Sequence, residues 1–161
     1  MINIRIICVG DLKESYLKEM QTEYVKRLSR YCKLDIITLK DEKLPQNLND
    51  GNIQIIKEKE GNLILSKLIT PNSYTFILDE TGKQYSSVEL SQKIDKVMTC
   101  GNSTINFVIG GSLGLSTNIK QYGNETISFS KLTFPHQLIR MFLLEQIFRS
   151  FKILNNETYH H

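Results

Sequence analysis

Tryptophan is absent from this chain of 161 residues, and cysteine, histidine and proline number three each. Cys8, Cys32 and Cys100 are odd in number and far apart. That argues against a disulfide framework, and no pair has the spacing of zinc ligands. They read as reduced core or helix-end residues. His136, His160 and His161 pair with no cysteine in a metal pattern, so no metal is expected. No apolar run approaches the ~18–20 residues of a membrane span. The first residues, Met-Ile-Asn-Ile-Arg-Ile-Ile, enter a strand pattern without a signal-peptide layout, which makes the cytoplasm the expected compartment. Phosphate-binding motifs are missing too. Gly82-Lys83-Gln84 does not complete a P-loop, and Gly110-Gly111-x-x-Gly114 has the wrong spacing for the dinucleotide fingerprint.

What is present is ordinary for a globular domain: 40% hydrophobic and 23% charged residues, in a length that suits one domain spanning 1–161. The net charge is +3, and it is unevenly spread. Residues 1–40 and 131–161 are basic, and the middle is slightly acidic. A nucleic-acid partner touched by the two ends fits this pattern, and so does a solvated helix face.

Hydrophobic periodicity divides the chain into alternating strands and helices. Residues 2–9, 34–39, 73–78, 104–109 and 125–129 are β-branched and apolar, and read as strands. Residues 15–31 carry Leu17, Met20, Tyr24, Leu28 and Tyr31 on one helical stripe, with Lys18, Lys26, Arg27 and Arg30 mostly away from it. Residues 53–68 read as a helix with Ile53, Ile56, Glu60, Leu63 and Leu68 on one side. Residues 40–52 form the one long polar loop. Ser86-x-x-Glu89 is a capping box that starts a helix buried through Val88, Ile94, Val97 and Met98. A short helix is expected over 117–122, stopped by Gly123. The longest covers 135–154, with Pro135 as its first position, Thr133 as a possible cap, and Leu138, Phe142, Ile147 and Phe151 buried. This alternation predicts an α/β fold: a mostly parallel sheet of five or six strands with helices on both faces.

Three of the predicted strands end in similar loops: Leu78-Asp79-Glu80-Thr81-Gly82, Gly110-Gly111-Ser112-Leu113-Gly114 and Phe129-Ser130-Lys131-Leu132-Thr133-Phe134. In a parallel sheet they emerge on one edge, where α/β proteins bind ligands. Backbone groups there can read an adenine edge, and Leu78, Leu113, Leu132 and Phe134 can pack on a flat ring. An adenosine without phosphates fits best. S-adenosylmethionine is such a ligand, and its sulfonium needs no metal to activate it.

The runs Phe107-Val-Ile-Gly-Gly-Ser-x-Gly-Leu115 and Ser128-Phe-Ser-Lys-Leu-Thr-Phe-Pro-His-Gln-Leu-Ile-Arg140 and the ending Tyr159-His160 resemble the ribosomal large subunit methyltransferase H family, small trefoil-knot (SPOUT) methyltransferases of bacteria. The likeness spans the whole chain and includes Val9-Gly10-x-Leu12-Lys13-Glu14 and Lys57-Glu58-Lys59-Glu60-Gly61. It implies a C-terminal trefoil knot within residues 107–154, a feature that connection rules alone would not suggest. It also implies a homodimer that uses S-adenosylmethionine to methylate N3 of a pseudouridine in helix 69 of 23S ribosomal RNA, on assembled ribosomes. Carried over, the cofactor residues are Leu78, Gly110, Phe129, Ser130, Lys131, Leu132, Thr133 and Phe134. Leu113 stands where many relatives have a polar residue, and Leu132 replaces a methionine. Neither change disturbs backbone contacts.

Methyl transfer to this nitrogen requires loss of its imino proton and alignment with the donor methyl. His136, in the first turn of the last helix, is the internal candidate for the base; the other reading is a histidine that closes the loop by a hydrogen bond. Arg140 lies one turn further on the same face, suited to a phosphate, a base oxygen or a carboxylate. Tyr159 and His160 sit on a short polar tail, which the resemblance brings over the cofactor site, from the same or the partner subunit. His160-His161 also reads as a frayed end or the start of a tag. Two other functions remain open at this stage: a non-catalytic ribosome-binding factor, and a knotted methyltransferase acting on transfer RNA.

Overall fold

A computed structural model describes residues 1–68 and 71–161. Among the described residues five strands and five helices alternate: β1 (Asn3–Val9), α1 (Ser15–Leu28), β2 (Lys33–Leu39), α2 (Asp50–Leu68), β3 (Ser73–Gln84), α3 (Ser87–Thr99), β4 (Thr104–Ile109), α4 (Thr117–Tyr122), β5 (Glu125–Ser128) and α5 (His136–Leu154). The strands form one parallel sheet in the order β2-β1-β4-β3-β5.

Side-chain alternation along the strands sorts the core into two layers. Ile4, Ile6 and Cys8 of β1 join Phe76, Ile105 and Phe107 under α1, α3 and α5. Ile7 and Val9 join Ile77 and Val108 under α2 and α4, with Ile64, Leu68, Leu115 and Ile119. β4 is buried along its full length, as a central parallel strand covered on both faces must be. Phe76 and Phe107 stack across the β3–β4 pair with centroids 5.1 Å apart. Each such fully buried apolar side chain contributes about 1.5–3 kcal/mol.

Several local expectations shift. α2 starts at Asp50 because Asn49 Oδ1 accepts the Asn52 N–H at 2.8 Å. Leu63 is exposed, and Ile64 takes the buried place. On α3 the capping box is present, but Val88 faces solvent while Leu90 is buried. Met20 of α1 is likewise exposed. Pro135 is the N-cap of α5 rather than its first turn, and Thr133 does not cap it. Phe142 is exposed and meets Phe134 edge to face at 5.5 Å. Gly123 ends α4 in an extended conformation, φ −62°, so its role is not a left-handed turn. An added Cβ there would fall 2.3 Å from the Ile77 side chain.

β3 does not stop at Leu78. Ile127 of β5 pairs with both Leu78 and Lys83, so residues 79–82 loop out and the strand resumes to Gln84. The chain then leaves β5, the edge strand, for α5, which packs against α1 and α3. Residues 129–135 therefore run back over the carboxyl ends of β3 and β4. Gly82 is the tightest point beside this route: a Cβ there would stand 2.6 Å from Ile127 carbonyl carbon and 2.7 Å from its nitrogen. Gly82→Ala is expected to lower stability by about 1–3 kcal/mol, while Asn62→Ala, on the exposed side of α2, stays within about 0.5 kcal/mol. Thermal melts of both variants check this, and equal melting temperatures would refute the close approach.

Candidate active site

The bulge of β3 and the loops after β4 and β5 do come together. They enclose an open cavity of about 810 Å³ at the carboxyl edge of the sheet. One wall is Leu78, Asp79 and Glu80, the second is residues 109–115, and the third is residues 127–134 without Lys131. His136 and Ile139 of α5 form the inner end, and Lys57 of α2 and Lys120 of α4 also line it.

Each wall has its own fastening. In the first, Asp79 accepts from the Thr81 N–H at 3.1 Å and from the Thr81 hydroxyl, and pairs with Lys120 at 3.3 Å. Burial pushes the Asp79 carboxyl up, but Thr81 and Lys120 together hold it below the usual range. In the second, Gly114 N–H donates to Gly111 O at 3.0 Å, and Gly114 has φ +82°, a conformation that favours glycine. Gly110 is required by space: a Cβ would lie 2.8 Å from Leu115 Cγ. In the third, Ser128 Oγ donates to Ser130 O at 2.8 Å, Ser130 Oγ accepts from Leu132 N–H at 3.0 Å, and Thr133 Oγ1 donates to Glu80 at 2.9 Å. This last bond ties the third wall to the first.

Of the residues singled out in the sequence, Leu78, Gly110, Phe129, Ser130, Leu132, Thr133 and Phe134 line the cavity; Lys131 is exposed and does not. The cavity is apolar at Leu78, Ile109 and Ile127 and offers backbone groups along the glycine loop, which fits an adenosine moiety. Among the described residues no group of His, Cys, Asp and Glu could hold a metal ion.

His136 is half-buried, with Nε2 only 3.2 Å from where a Cβ on Gly10 would lie. Gly10 has φ +91°, and its N–H donates to Leu39 O at 2.8 Å. Burial, followed by the positive charge of Arg140, lowers the His136 pKa from its ordinary value, with Asp41 opposing. At neutral pH the imidazole is therefore uncharged and able to accept a proton. Arg140 does not line the cavity. It is 2% exposed, and its Nη2 donates to Gly10 O at 2.6 Å, while its Nε has no hydrogen bond among the described residues. Arg140 thus supports the end of β1 and the field at His136 from below. Lys13 N–H donates to Gln137 Oε1 at 3.0 Å, so residues 10–13 form a seat for the start of α5.

Tyr159 and His160 lie elsewhere. Tyr159 packs edge-on against Phe148 at 4.9 Å, donates to Glu145 Oε1 at 3.1 Å and lies beneath the Arg149 guanidinium. Burial, aided by Tyr24 and Glu145, pushes its phenol up to about 12. His160 Nδ1 is 3.1 Å from Arg149 Nη1. Phe148 is twelve residues beyond His136 on α5, or about 18 Å along the axis, so the chain's own tail does not reach His136. It lies beside a second depression of about 630 Å³ lined by Met20, Phe134, Phe142 and Glu145. Sequence reasoning missed Lys57 and Lys120 as lining residues, because a lysine on a polar helix turn carries no signal that separates it from a solvated one.

Comparison with known proteins agrees with this geometry. Residues 2–160 match the family model described as a predicted SPOUT methyltransferase. The chain is 53% identical over 159 residues to a protein of Bacillus pumilus (strain SAFR-032) named ribosomal RNA large subunit methyltransferase H, with 99% of each chain covered. Proteins with the same name from Clostridium botulinum (strain Eklund 17B / Type B) and Bacillus thuringiensis subsp. konkukian (strain 97-27) are 55% and 51% identical, also covering 99% of each chain. Similarity of this extent over a full-length match settles kinship: the chain belongs to the SPOUT methyltransferase family, and its parallel sheet with helices on both faces is the α/β fold that carries the family's trefoil knot.

Proposed function

We propose that the protein is a ribosomal RNA methyltransferase that uses S-adenosylmethionine to methylate N3 of a pseudouridine in helix 69 of 23S ribosomal RNA, on assembled ribosomes in the cytoplasm. The observation that carries this reading is the adenosine-sized cavity built from Leu78, the glycine loop and residues 129–134. The names of the relatives supply the substrate class. When bound, the cofactor supplies a methyl group on a sulfonium, an electrophile that needs no metal.

The chain's own residues then do three things. Backbone groups and the apolar side chains of the three walls hold the adenosine and fix the direction of the methyl group. Neutral His136 takes the imino proton, or holds the water that does, at the inner end of the cavity. Lys57 and Lys120, together with the basic side chains of α1, supply phosphate contacts. The knot lies within residues 107–154, where residues 129–135 cross the ends of β3 and β4. The protein acts as a homodimer: a second copy covers the exposed Met20 and Phe142 and lays its own Tyr159 and His160 across the cavity. The distance from each tail to its own His136 favours this exchange.

Four measurements test the reading. Calorimetry should detect S-adenosylmethionine binding to the purified protein, and its absence would favour a non-catalytic factor. Nucleoside mass spectrometry of a deletion strain should lose N3-methylpseudouridine from large-subunit RNA; loss of a transfer-RNA methyl group instead would sink the assignment. Mixing inactive His136→Ala with inactive Tyr159→Ala should restore about a quarter of wild-type activity if tails are exchanged across a two-fold dimer, and none if each tail serves its own site.

The fourth concerns pH. A histidine whose pKa is depressed on folding contributes stability above its unfolded value, and that contribution is lost as pH falls through the folded value. Between about pH 7.5 and 5 the melting temperature should fall less steeply in His136→Gln than in the wild type. Magnetic resonance titration should place His136 below an ordinary histidine, and a value at or above the ordinary one would remove it as the neutral base.

A further inference from the structure

Most of residues 57–61, at the middle of α2, have no part in the chemistry above. In the structure, two consecutive residues of α2 grip both ends of the glycine loop. Gly61 faces the far end. A Cβ on it would stand 2.6 Å from Ser116 Oγ, the atom that caps α4 by accepting the Ile119 N–H. Glu60 faces the near end. A Cβ on Gly111 would stand 3.2 and 3.5 Å from the two Glu60 carboxylate oxygens.

Glu60 is only 5% exposed, and its Oε2 accepts the backbone N–H of Glu42 at 3.1 Å. Among the described residues no lysine, arginine or histidine forms a salt bridge with it. A buried carboxylate without a cation is costly to keep, and a position that needed only to fill space would be cheaper as a leucine or methionine. What the carboxylate supplies and an apolar side chain cannot is a hydrogen-bond acceptor for the connection between β2 and α2. Burial, with the charges of Asp41 and Glu42, raises its pKa, and the Glu42 N–H opposes that shift. Glu60 thus joins two segments that are remote in sequence, residue 42 and the loop at 110–114.

We propose that Glu60 is a positioning residue for the methyl donor: by accepting the Glu42 N–H and abutting Gly111, it seats the glycine loop in its binding conformation before the donor arrives. This rests on the donor-binding reading of the cavity. A loop already in place loses less conformational entropy when it binds, so the effect falls on donor affinity and leaves the chemical step alone.

The test uses the full chain carrying Glu60→Ala, Glu60→Gln or Glu42→Pro; the last removes the same bond from the donor side. Calorimetry with S-adenosylmethionine should show binding weakened about tenfold in Glu60→Ala, the scale of one lost buried hydrogen bond. Its KM for the donor should rise in step, with kcat at saturating donor within about twofold of the wild type. Hydrogen exchange of the ligand-free protein should quicken at Glu42 and at residues 111–114 but not along β1 and β4. Glu60→Gln, which keeps an acceptor, should match the wild type, and Glu42→Pro should follow Glu60→Ala. Wild-type donor affinity in Glu60→Ala, a loss in Glu60→Gln as large as in Glu60→Ala, or exchange quickened evenly along the chain would each overturn the proposal. Failure of the wild-type protein to bind the donor would instead condemn the donor reading, and hydrogen exchange would still decide whether Glu60 braces the loop.

Discussion

The structure turns on one crossing. The edge strand β5 must be connected to α5, which lies on the opposite side of β3, and residues 129–135 make that passage over the carboxyl ends of β3 and β4. Everything beside the passage is shaped by it. Gly82 leaves room where β3 loops out against Ile127, and Gly110 lets the neighbouring loop fold onto Leu115. The crossing chain is fastened by its own serines and by Thr133 on Glu80. A cavity exists because three loops are forced to one edge, and it is lined by backbone because the loops pass too closely for large side chains at their tightest points.

Two buried charges flank this cavity, and neither has an opposite charge bonded to it among the described residues. Arg140 is spent on the Gly10 carbonyl beneath His136, and Glu60 on the Glu42 N–H behind Gly111. Each uses a strong hydrogen-bonding group to hold a loop that side-chain packing alone would leave loose. Because Arg140 is one turn from His136, its charge also disfavours the imidazolium. Local support and the protonation state of the candidate base therefore come from the same guanidinium.

Much of the fold was legible because strand and helix periods are strong signals in a sheet buried on both faces. The five strands, the capping box at Ser86 and the span of α4 all followed from local pattern. What was not legible depended on tertiary contact. Phe142 and Val88 fit an apolar stripe, yet both are exposed, and the edge of Phe134 covers Phe142 only in part. β3 continues past Leu78 because β5 offers it a second pairing at Ile127, and nothing in Asp79-Glu80-Thr81-Gly82 announces that. In the cavity, the loops after β4 and β5 were visible as strand ends, the bulge of β3 was read as a third, and the family likeness named residues in all three. Lys131 could not be separated from its neighbours, since one exposed residue in a lining loop looks like the rest. Arg140 lies on the face of α5 that carries His136, yet it sits too deep to reach a ligand. The separation of Tyr159 from His136 is a matter of where the chain turns after Leu154, which no periodicity encodes.

The pairing of β1 with β4 sets Asn3 beside Thr104 and Cys8 beside Ile109. The central pair of the sheet thus closes a loop of about a hundred residues, and contacts so remote in sequence make folding slow. During synthesis β1 waits, unpaired on one edge, until more than half of the protein has been made. The third cavity wall and α5 come later still, near the end of the chain. The cavity therefore cannot close until residues 127–134 have joined a sheet whose other four strands precede them in the chain.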